Sequence, residues 1–297
     1  MPDTTELKAE TRPRVLVTGQ AGMVGRVVAP TLDRQGFDVV GLDLSDGADL
    51  LDPATVRNRL QGCRYVVHLA AVDDEPESPD PLTPASTGGT AQVLRTNVGG
   101  TALLLAEAAQ VGVERVVMLS SVDVFGCFMG QGLPEYLPLD DAHPTRPYGA
   151  YAWSKLAAEE LCETFTRATG AASICLRAPG VFDQSTYAFI NRARTEQPSS
   201  EWSPIWEYGA FIDIQDLADA VTAALTRPSL RGHHRILINA DDISSQIEDA
   251  PTLAARLLPE VPLRDLPRFQ NDRFAALVNN DPAKALLGWE PQRRWHH

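Results

Sequence analysis

The sequence predicts an α/β fold, with a doubly wound parallel sheet followed by a smaller C-terminal lobe. Short apolar runs alternate with longer helical patterns over the first 176 residues, as in chains whose parallel strands are joined by helices. The periodicity becomes irregular from residue 177 onward. We therefore expect a disordered tail over residues 1–12, a sheet domain over 13–176, and a lobe over 177–297 interleaved with late elements of the sheet.

The elements of the sheet domain follow from the lengths of these runs. Apolar runs of about five residues are typical of strands buried in a parallel sheet, and longer amphipathic stretches are typical of helices. The short segment 47–50 is expected to add a minor strand. We predict strands near 14–18, 38–42, 65–69, 115–119 and 172–176, and helices near 23–35, 97–111 and 150–168.

A glycine-rich turn, residues 18–25 with the sequence TGQAGMVG, joins the first strand to the first helix. Glycines permit a tight turn and close approach to a pyrophosphate, which the N–H groups of the helix N-terminus then face. The second strand ends in Asp43, and an acid at this place suits the ribose hydroxyls of NAD and repels the 2′-phosphate of NADP. The alternative is a turn that uses glycine for geometry alone. The context of strand, turn, helix and acid favours a Rossmann-type NAD site.

A second motif places Tyr151 and Lys155 four residues apart, on one face of a predicted helix. A tyrosine hydroxyl has a pKa of about 10, so it is a poor base at neutral pH unless a nearby cation stabilises the phenolate. The lysine supplies that cation. Ser120 and Ser121 end a strand about thirty residues earlier, and a serine there can bind the reacting oxygen. The spacing predicts proton transfer coupled to hydride exchange with NAD.

Together these residues resemble the extended short-chain dehydrogenase/reductase family, also called the NAD-dependent epimerase/dehydratase family. The resemblance covers roughly residues 13–291. It rests on the glycine turn, Asp43, the Tyr151/Lys155 pair and several further segments. These segments are 66–71 (VVHLAA), Asn97, 120–126 (SSVDVFG), 176–182 (LRAPGVF), 211–218 (FIDIQDLA) and 286–291 (LLGWEP).

The resemblance implies a catalytic set of Ser121, Tyr151 and Lys155. Ser121 is preferred to Ser120 because the family's catalytic residue stands five places before the glycine found here as Gly126. Ser120 is then expected to make strand-end hydrogen bonds. Tyr148 is a rival base, but the residue four places after it is an alanine, so only Tyr151 has a lysine partner.

The resemblance also implies the residues that hold NAD. Two of them have simpler alternatives, since Asp49 also suits a surface turn and Asn97 also suits a helix N-cap. His68, at the end of an apolar strand, is expected to be a packed core residue. The implied cofactor contacts are Gly19, Gly22, Met23, Val24, Gly25, Asp43, Asp49, Leu50, Leu69, Ala70, Ala71, Asn97, Tyr151 and Lys155.

The substrate region is the least patterned part of the chain. Many relatives that act on nucleotide sugars carry an arginine just before the residue found here as Phe211, where it grips the diphosphate, and this chain has none there. Arg192 or Arg194 could substitute, but the loss favours a smaller or uncharged substrate. Aromatic residues suit the apolar face of a sugar ring or ordinary packing, and they are Tyr187, Trp202, Trp206 and Tyr208. The candidate substrate contacts are Asp123, Arg177, Arg192 and Tyr208.

These expectations favour an NAD-dependent oxidoreductase acting on a secondary alcohol or ketone of a sugar-like substrate. A sugar or nucleotide-sugar epimerase would use the same residues. A dehydratase is less expected, because dehydratase relatives usually pair the acid found here as Asp123 with an adjacent acid, and the neighbour here is Val122. A non-catalytic NAD-binding protein is also less expected, because the catalytic tyrosine is retained.

Residues 72–90 break the alternation with an acidic run and several prolines. We place this segment after the fourth strand and expect a mobile acidic loop over the cleft, with a solvated surface loop as the alternative.

Bulk composition excludes several partners. The chain carries 39 acidic and 26 basic residues, a net charge of −13, so nucleic acid is not an expected partner. The four cysteines form no CxxC pair, so neither a metal site nor a disulfide framework is expected. No apolar run suits a membrane span and no signal peptide is recognised. We expect a cytoplasmic homodimer that pairs through the helices near 97–111 and 150–168.

Overall fold

The computed structural model describes residues 12–73, 87–128, 131–196, 208–245 and 247–296. Six strands form one parallel sheet, and two short strands form a separate parallel pair. The sheet strands are β1 (Arg14–Thr18), β2 (Asp38–Leu42), β3 (Tyr65–His68), β4 (Arg115–Ser121), β5 (Ala172–Ala178) and β8 (His233–Leu237). The pair consists of β6 (Val181–Phe182) and β7 (Ile212–Asp213).

The order of the sheet is β2-β1-β3-β4-β5-β8, and all neighbours run parallel. The chain moves outward from β1 to β2 and then crosses back to β3, so the winding reverses between β1 and β3. Ligands of doubly wound sheets bind at such a reversal, outside the carboxyl ends of the strands. The predicted doubly wound Rossmann-type sheet is confirmed. The predicted late strand-to-helix element at 211–218 forms β7, in the separate pair, and the helix after it, whereas the edge strand β8 was not predicted.

Helices cover both faces of the sheet. On one face α1 packs against α7, and on the other α4 packs against both α2 and α5. Side chains of β1 alternate between two apolar clusters, with Val15 and Val17 on the first face and Leu16 on the second. The helices are α1 (Gly25–Arg34), α2 (Pro53–Leu60), α3 (Thr87–Val93), α4 (Gly100–Val111), α5 (Gly149–Thr169), α6 (Gln184–Glu196), α7 (Ile214–Thr226), α8 (Ala250–Leu257), α9 (Leu266–Asn271) and α10 (Asp281–Leu287).

A third apolar cluster forms the core of the smaller lobe. It joins Val124 and Phe128, just after β4, to Leu137 and to residues of the last third of the chain such as Ile243 and Leu253. A fourth, small cluster packs Phe182 of β6 and Phe211, just before β7, against Ile190 of α6. The lobe therefore draws on segments both before and after residue 177.

Three local predictions are wrong. Residues 47–50 form no strand, because a 3-10 helix (Leu44–Asp46) ends at Gly47 with φ 74° and the chain turns there. Asn97 begins no helix. It lies in a π-helical turn (Leu94–Gly99) that continues α3 into α4. The segment from 72 onward follows the third strand, not the fourth.

Several predictions fall outside the described residues. These concern the tail up to residue 11, the acidic loop over 74–86, and the aromatic residues Trp202 and Trp206. The four cysteines are buried and free.

Candidate functional site

The turn between β1 and α1 requires glycine at two positions. Gly19 has φ 69°, and a Cβ there would lie 2.8 Å from the backbone nitrogen of Ala70. A Cβ on Gly25 would overlap the carbonyl oxygen of Gly19. The backbone therefore packs tightly across the β1/β3 reversal. Gly22 and Met23 are exposed at the start of α1, where phosphates would lie.

Asp43 follows β2 and faces the glycine turn. Its carboxylate accepts hydrogen bonds from the N–H groups of Ala21 at 3.0 Å and Ser45 at 2.9 Å. Partial burial raises the pKa of Asp43, but the hydrogen bonds from these N–H groups outweigh that effect. The pKa of Asp43 therefore lies below its usual value. A carboxylate is therefore held at the end of β2, where the ribose of NAD is expected.

The segment after β2 places two of the predicted cofactor contacts differently. Asp49 is exposed and accepts a hydrogen bond from the N–H of Leu51, which also suits a turn residue. Leu50 is buried, and a Cβ on Gly100 would lie 2.7 Å from its Cδ2. The leucine thus anchors this segment against α4.

Residues 69–72, after β3, are fixed by two polar anchors. Thr18 Oγ1 accepts the N–H groups of Leu69 and Ala70, both at 3.2 Å. Asn97, 3% exposed, pairs with Val72 in both directions, with its amide donating to the carbonyl and its oxygen accepting the N–H, each at 2.8 Å. The backbone after β3 is therefore held in one position along the carboxyl edge of the sheet. It comprises Leu69, Ala70 and the exposed Ala71.

Lys155 lies in the first half of α5 with its ammonium group buried. Its Nζ donates to the carbonyl of Leu119 in β4 at 2.8 Å and lies 5.4 Å from the centroid of the Tyr151 ring. Burial lowers the pKa of Lys155 to about 8, although the carboxylates of Asp73 and Asp123 act against this shift. The helix thus brings the predicted Tyr/Lys pair to the carboxyl end of β4.

Ser121 and Asp123 lie beside this pair at the end of β4. Ser121 Oγ donates to Asp123 Oδ2 at 3.0 Å and accepts the N–H of Asp123 at 3.1 Å. Burial raises the pKa of Asp123, and the nearby charge of Asp73 adds to it, whereas Ser121 and Lys155 lower it. The other carboxylate oxygen, Oδ1, is buried and makes no hydrogen bond with the described residues.

Ser120 faces away from Ser121, as expected for adjacent residues of a strand. Its hydroxyl donates to Glu159 at 2.6 Å. Glu159 also accepts two hydrogen bonds from Arg177, at 2.9 and 2.7 Å. Arg177 was a candidate substrate contact, but it is 3% exposed and its guanidinium lies over the Phe125 ring. Its placement indicates a structural role.

The other two candidate substrate residues lie in the smaller lobe. Arg192 is on the exposed side of α6. Tyr208 has φ 55°, and its hydroxyl donates to the carbonyl of Cys127 at 2.7 Å. Among the predicted residues, the contacts therefore gather Ser121, Asp123, Tyr151 and Lys155 at one strand end.

Sequence reasoning did not predict the hydrogen bonds among the polar residues beneath this site, although it expected His68 in the packed core, where that residue is 4% exposed. Ser154 accepts from Asn97 at 2.9 Å and donates to the carbonyl of Tyr151 at 2.7 Å. Thr18, His68 and Thr101 form a further chain of hydrogen bonds. Glu159 could have been identified from the sequence, because an acid four residues after Lys155 lies on the same buried helix face.

A cavity of about 920 Å³ opens at the opposite, amino edge of the sheet, bordered by residues such as Phe37 and Tyr65. Arg115 lines this cavity and donates to the carbonyls of Ala224 and Leu225, at the end of α7, and of Leu230 after it. This cavity therefore lies away from the candidate catalytic residues. Within the described ranges, no group of acidic, histidine and cysteine side chains could hold a metal ion. Among the described helices, none is long and apolar enough to span a membrane.

Comparisons with known proteins identify the family of this chain. The model of the NAD dependent epimerase/dehydratase family matches residues 15–239. The UDP-glucose 4-epimerase of Streptomyces lividans is 27% identical over 321 residues, which cover 94% of this chain and 92% of that protein. GDP-mannose 3,5-epimerase 1 of Oryza sativa subsp. indica is 24% identical over 297 residues, which cover 94% of this chain and 77% of that protein.

Among solved structures, a short-chain dehydrogenase/reductase superfamily protein from Agrobacterium tumefaciens with bound NAD superposes with a TM-score of 0.69. The two chains are 22% identical, and the match covers 95% of this chain and 93% of that one. The predicted cofactor, NAD, is confirmed. This chain is a member of the NAD-dependent epimerase/dehydratase family and an NAD-dependent enzyme.

Proposed function

We propose that this enzyme moves a hydride between NAD and a secondary alcohol of a sugar-like substrate, with Tyr151 as general acid/base. The observation that carries the proposal is the placement of Lys155. Its buried ammonium lies against the Tyr151 ring and is bound to the Leu119 carbonyl, two residues before Ser121. A cation there stabilises the tyrosine phenolate that must take the proton.

Each of the three residues has a separate role in the proposed reaction. Tyr151 removes the hydroxyl proton of the substrate, Lys155 stabilises the phenolate, and Ser121 binds the substrate oxygen as its charge develops. NAD, when bound, supplies the hydride acceptor. The close approach at Gly19 and Gly25 and the carboxylate of Asp43 fit its pyrophosphate and ribose.

Epimerisation is our first choice for the overall reaction. The curated relatives matched over 94% of the chain are named as sugar-nucleotide epimerases. The sequence alone favoured simple oxidoreduction, which uses the same residues and is our second candidate. In an epimerase the hydride returns to the other face of the sugar, and in a dehydrogenase the reduced cofactor leaves.

The segment just before β7 supports a substrate without a nucleoside diphosphate. The position before Phe211, where many relatives carry the arginine, is here Ala210, which is 5% exposed. Of the two arginines that could substitute, Arg194 is 5% exposed with its guanidinium over the Trp295 ring, and Arg192 lies on the exposed side of α6. A diphosphate without an arginine partner is costly to bury.

The test combines cofactor analysis with product analysis. One portion of the purified enzyme is denatured to measure retained NAD, and a second, native portion is incubated with added NAD and with free sugars, uronic acids, polyols or UDP-, GDP- or dTDP-sugars. Epimerisation predicts retained NAD and an epimer without net NADH, and dehydrogenation predicts NADH in step with product. Activity confined to nucleotide sugars would contradict the substrate proposal. Binding of NAD with no turnover across the panel would contradict hydride transfer to a sugar.

A further inference from the structure

A chain of buried hydrogen bonds runs beneath the site from β1 to the π-helical turn. It begins at Thr18, passes through the imidazole of His68, and ends at Thr101 on α4. Thr18 Oγ1 lies 2.7 Å from His68 Nδ1, and Thr101 Oγ1 lies 2.8 Å from His68 Nε2. All three side chains are at most 4% exposed.

The partners of the two threonines fix the direction of every bond. Thr18 Oγ1 already accepts two N–H groups, from Leu69 and Ala70, so its own proton points to His68 Nδ1. Thr101 donates its proton to the carbonyl of Asn97 at 2.5 Å, so its oxygen accepts from His68 Nε2. The imidazole is therefore neutral, with its proton on Nε2.

Charge supports the same state. Burial lowers the pKa of His68 to about 3, and the cation of Lys155 lowers it as well. A protonated imidazole would direct an Nδ1 proton at an oxygen whose lone pairs are both in use. A neutral histidine accepts a hydrogen bond on one nitrogen and donates one from the other, so it links its two partners in one direction only.

Both ends of the bridge reach the site. At one end, Thr18 holds Leu69 and Ala70, which the family resemblance assigns to the cofactor. At the other end, Thr101 holds the carbonyl of Asn97, whose side chain binds Val72 and, through Ser154, the carbonyl of Tyr151. The fold thus joins the NAD side and the tyrosine side through one imidazole.

We propose that His68 is a positioning residue that couples the segment after β3 to the helical turn carrying Tyr151. This inference rests on the proposed function, which assigns proton transfer to Tyr151, and on the expectation that Leu69, Ala70 and Ala71 contact NAD. His68 touches no reacting atom in this scheme. It sets how the two sides of the site are placed relative to each other.

The test is a double-mutant cycle on the two threonines, which contact opposite nitrogens of the ring. Thr18→Val and Thr101→Val keep the side-chain shape and remove the hydroxyl, whereas Thr18→Ser and Thr101→Ser keep the hydroxyl. NAD affinity is measured by calorimetry on the full chain. We expect each valine variant to lose about fivefold in affinity, the equivalent of one net hydrogen bond, and each serine variant to stay within about twofold.

The decisive result is coupling. If His68 joins the two hydroxyls, the combined valine variant loses less affinity than the product of the single losses, and His68→Leu abolishes that deviation. Thr222→Val is the matched control, because Thr222 makes the same bond to the carbonyl four residues earlier, on α7. Thermal unfolding is followed for every variant, so that any loss of fold is seen directly.

Multiplicative losses, or equal losses for valine and serine at position 101, would overturn the proposal. The coupling is read from NAD binding alone and is repeated in a Tyr151→Phe background. Failure of the hydride-transfer proposal would therefore leave this test intact. Once a substrate is known, Thr101→Val should lower kcat and leave KM nearly unchanged, which simple destabilisation would not do.

Discussion

Two clusters of buried charge lie on opposite sides of the end of β4, and they differ in how completely their charges are paired. The rear cluster contains Ser120, Glu159, Arg177 and Arg235. The front cluster contains Ser121, Asp123 and Lys155. Each cluster contains one of two adjacent serines of β4. The two clusters therefore share the same stretch of backbone and differ in the face of the strand on which they lie.

In the rear cluster the acid is surrounded by donors. Glu159 is fully buried, accepts the Ser120 hydroxyl and both bonds of the Arg177 fork, and lies 3.3 Å from Nε of Arg235. Arg235 also binds two acids nearer the surface. A buried ion network with this many partners holds α5 against β4, β5 and β8.

In the front cluster the charges are left partly uncompensated. The pKa of Lys155 falls to about 8 through burial, and the pKa of Asp123 rises for the same reason. One oxygen of Asp123 has no hydrogen-bond partner among the described residues. Nε of Arg235, in the rear cluster, also lacks a hydrogen-bond partner among the described residues, although it lies 3.3 Å from the carboxylate of Glu159. Shifted pKa values such as those of Lys155 and Asp123 are typical of catalytic groups.

The largest effect on activity is expected from removing the hydroxyl of Tyr151. We expect Tyr151→Phe to lower kcat by about 10²–10⁴-fold, the usual contribution of general acid/base catalysis, and to leave NAD affinity nearly unchanged. Steady-state kinetics and calorimetry measure the two effects. Tyr148→Phe is the control, since that side chain is 70% exposed and should matter little. If the Tyr148 variant lost activity instead, the assignment of the base would be wrong.

The rear cluster should respond through stability. Glu159→Gln leaves Arg177 buried without its counter-charge, and breaking a buried pair in this way costs about 3–5 kcal/mol. Denaturant unfolding measures the loss. Glu160→Gln is the matched control, because that acid is exposed and pairs with the same Arg235, so it should cost less than about 1 kcal/mol. Equal losses for both variants would remove the distinction between network and surface pair.

Much of the front cluster could be predicted from the sequence, because its spacing is local. Tyr151 and Lys155 share a helix face, and Ser121 is counted from Gly126, so short-range geometry determines them. The doubly wound sheet followed from alternating runs for the same reason. Arg177 could not be placed in this way, because its partner, Glu159, comes from a helix whose packing against β5 only the fold decides. The π-helical turn at Asn97 likewise depends on contacts with Val72 and Thr101.

The adjacent serines offer a comparison of intermediate size. Ser121→Ala removes the donor expected at the substrate oxygen and should lower kcat on the order of tenfold to a hundredfold, with stability changed little. Ser120→Ala removes a donor from buried Glu159 and should cost about 1–3 kcal/mol of stability, with kcat retained in the folded enzyme. Kinetics and unfolding are measured on both variants. The opposite pattern would mean that Ser120 is the catalytic serine.

The smallest effect expected near neutral pH concerns the charge of Lys155. Because burial lowers its pKa to about 8, the ammonium that stabilises the phenolate is lost as pH rises through that value, so kcat should be about half its maximum near pH 8. Between this folded pKa and the ordinary lysine pKa of 10.5 the unfolded chain binds more protons, so stability relative to Lys155→Met should rise with pH. Asp123→Asn removes a carboxylate that favours the charged lysine, and should therefore move the fall in kcat to lower pH. A pH profile of kcat for wild type and Asp123→Asn measures the shift, with Glu160→Gln as a control for a distant acid. If the pH profile of kcat is unchanged in Asp123→Asn, the charge of Asp123 does not influence Lys155. The front cluster would then have to be regarded as structural, like the rear cluster.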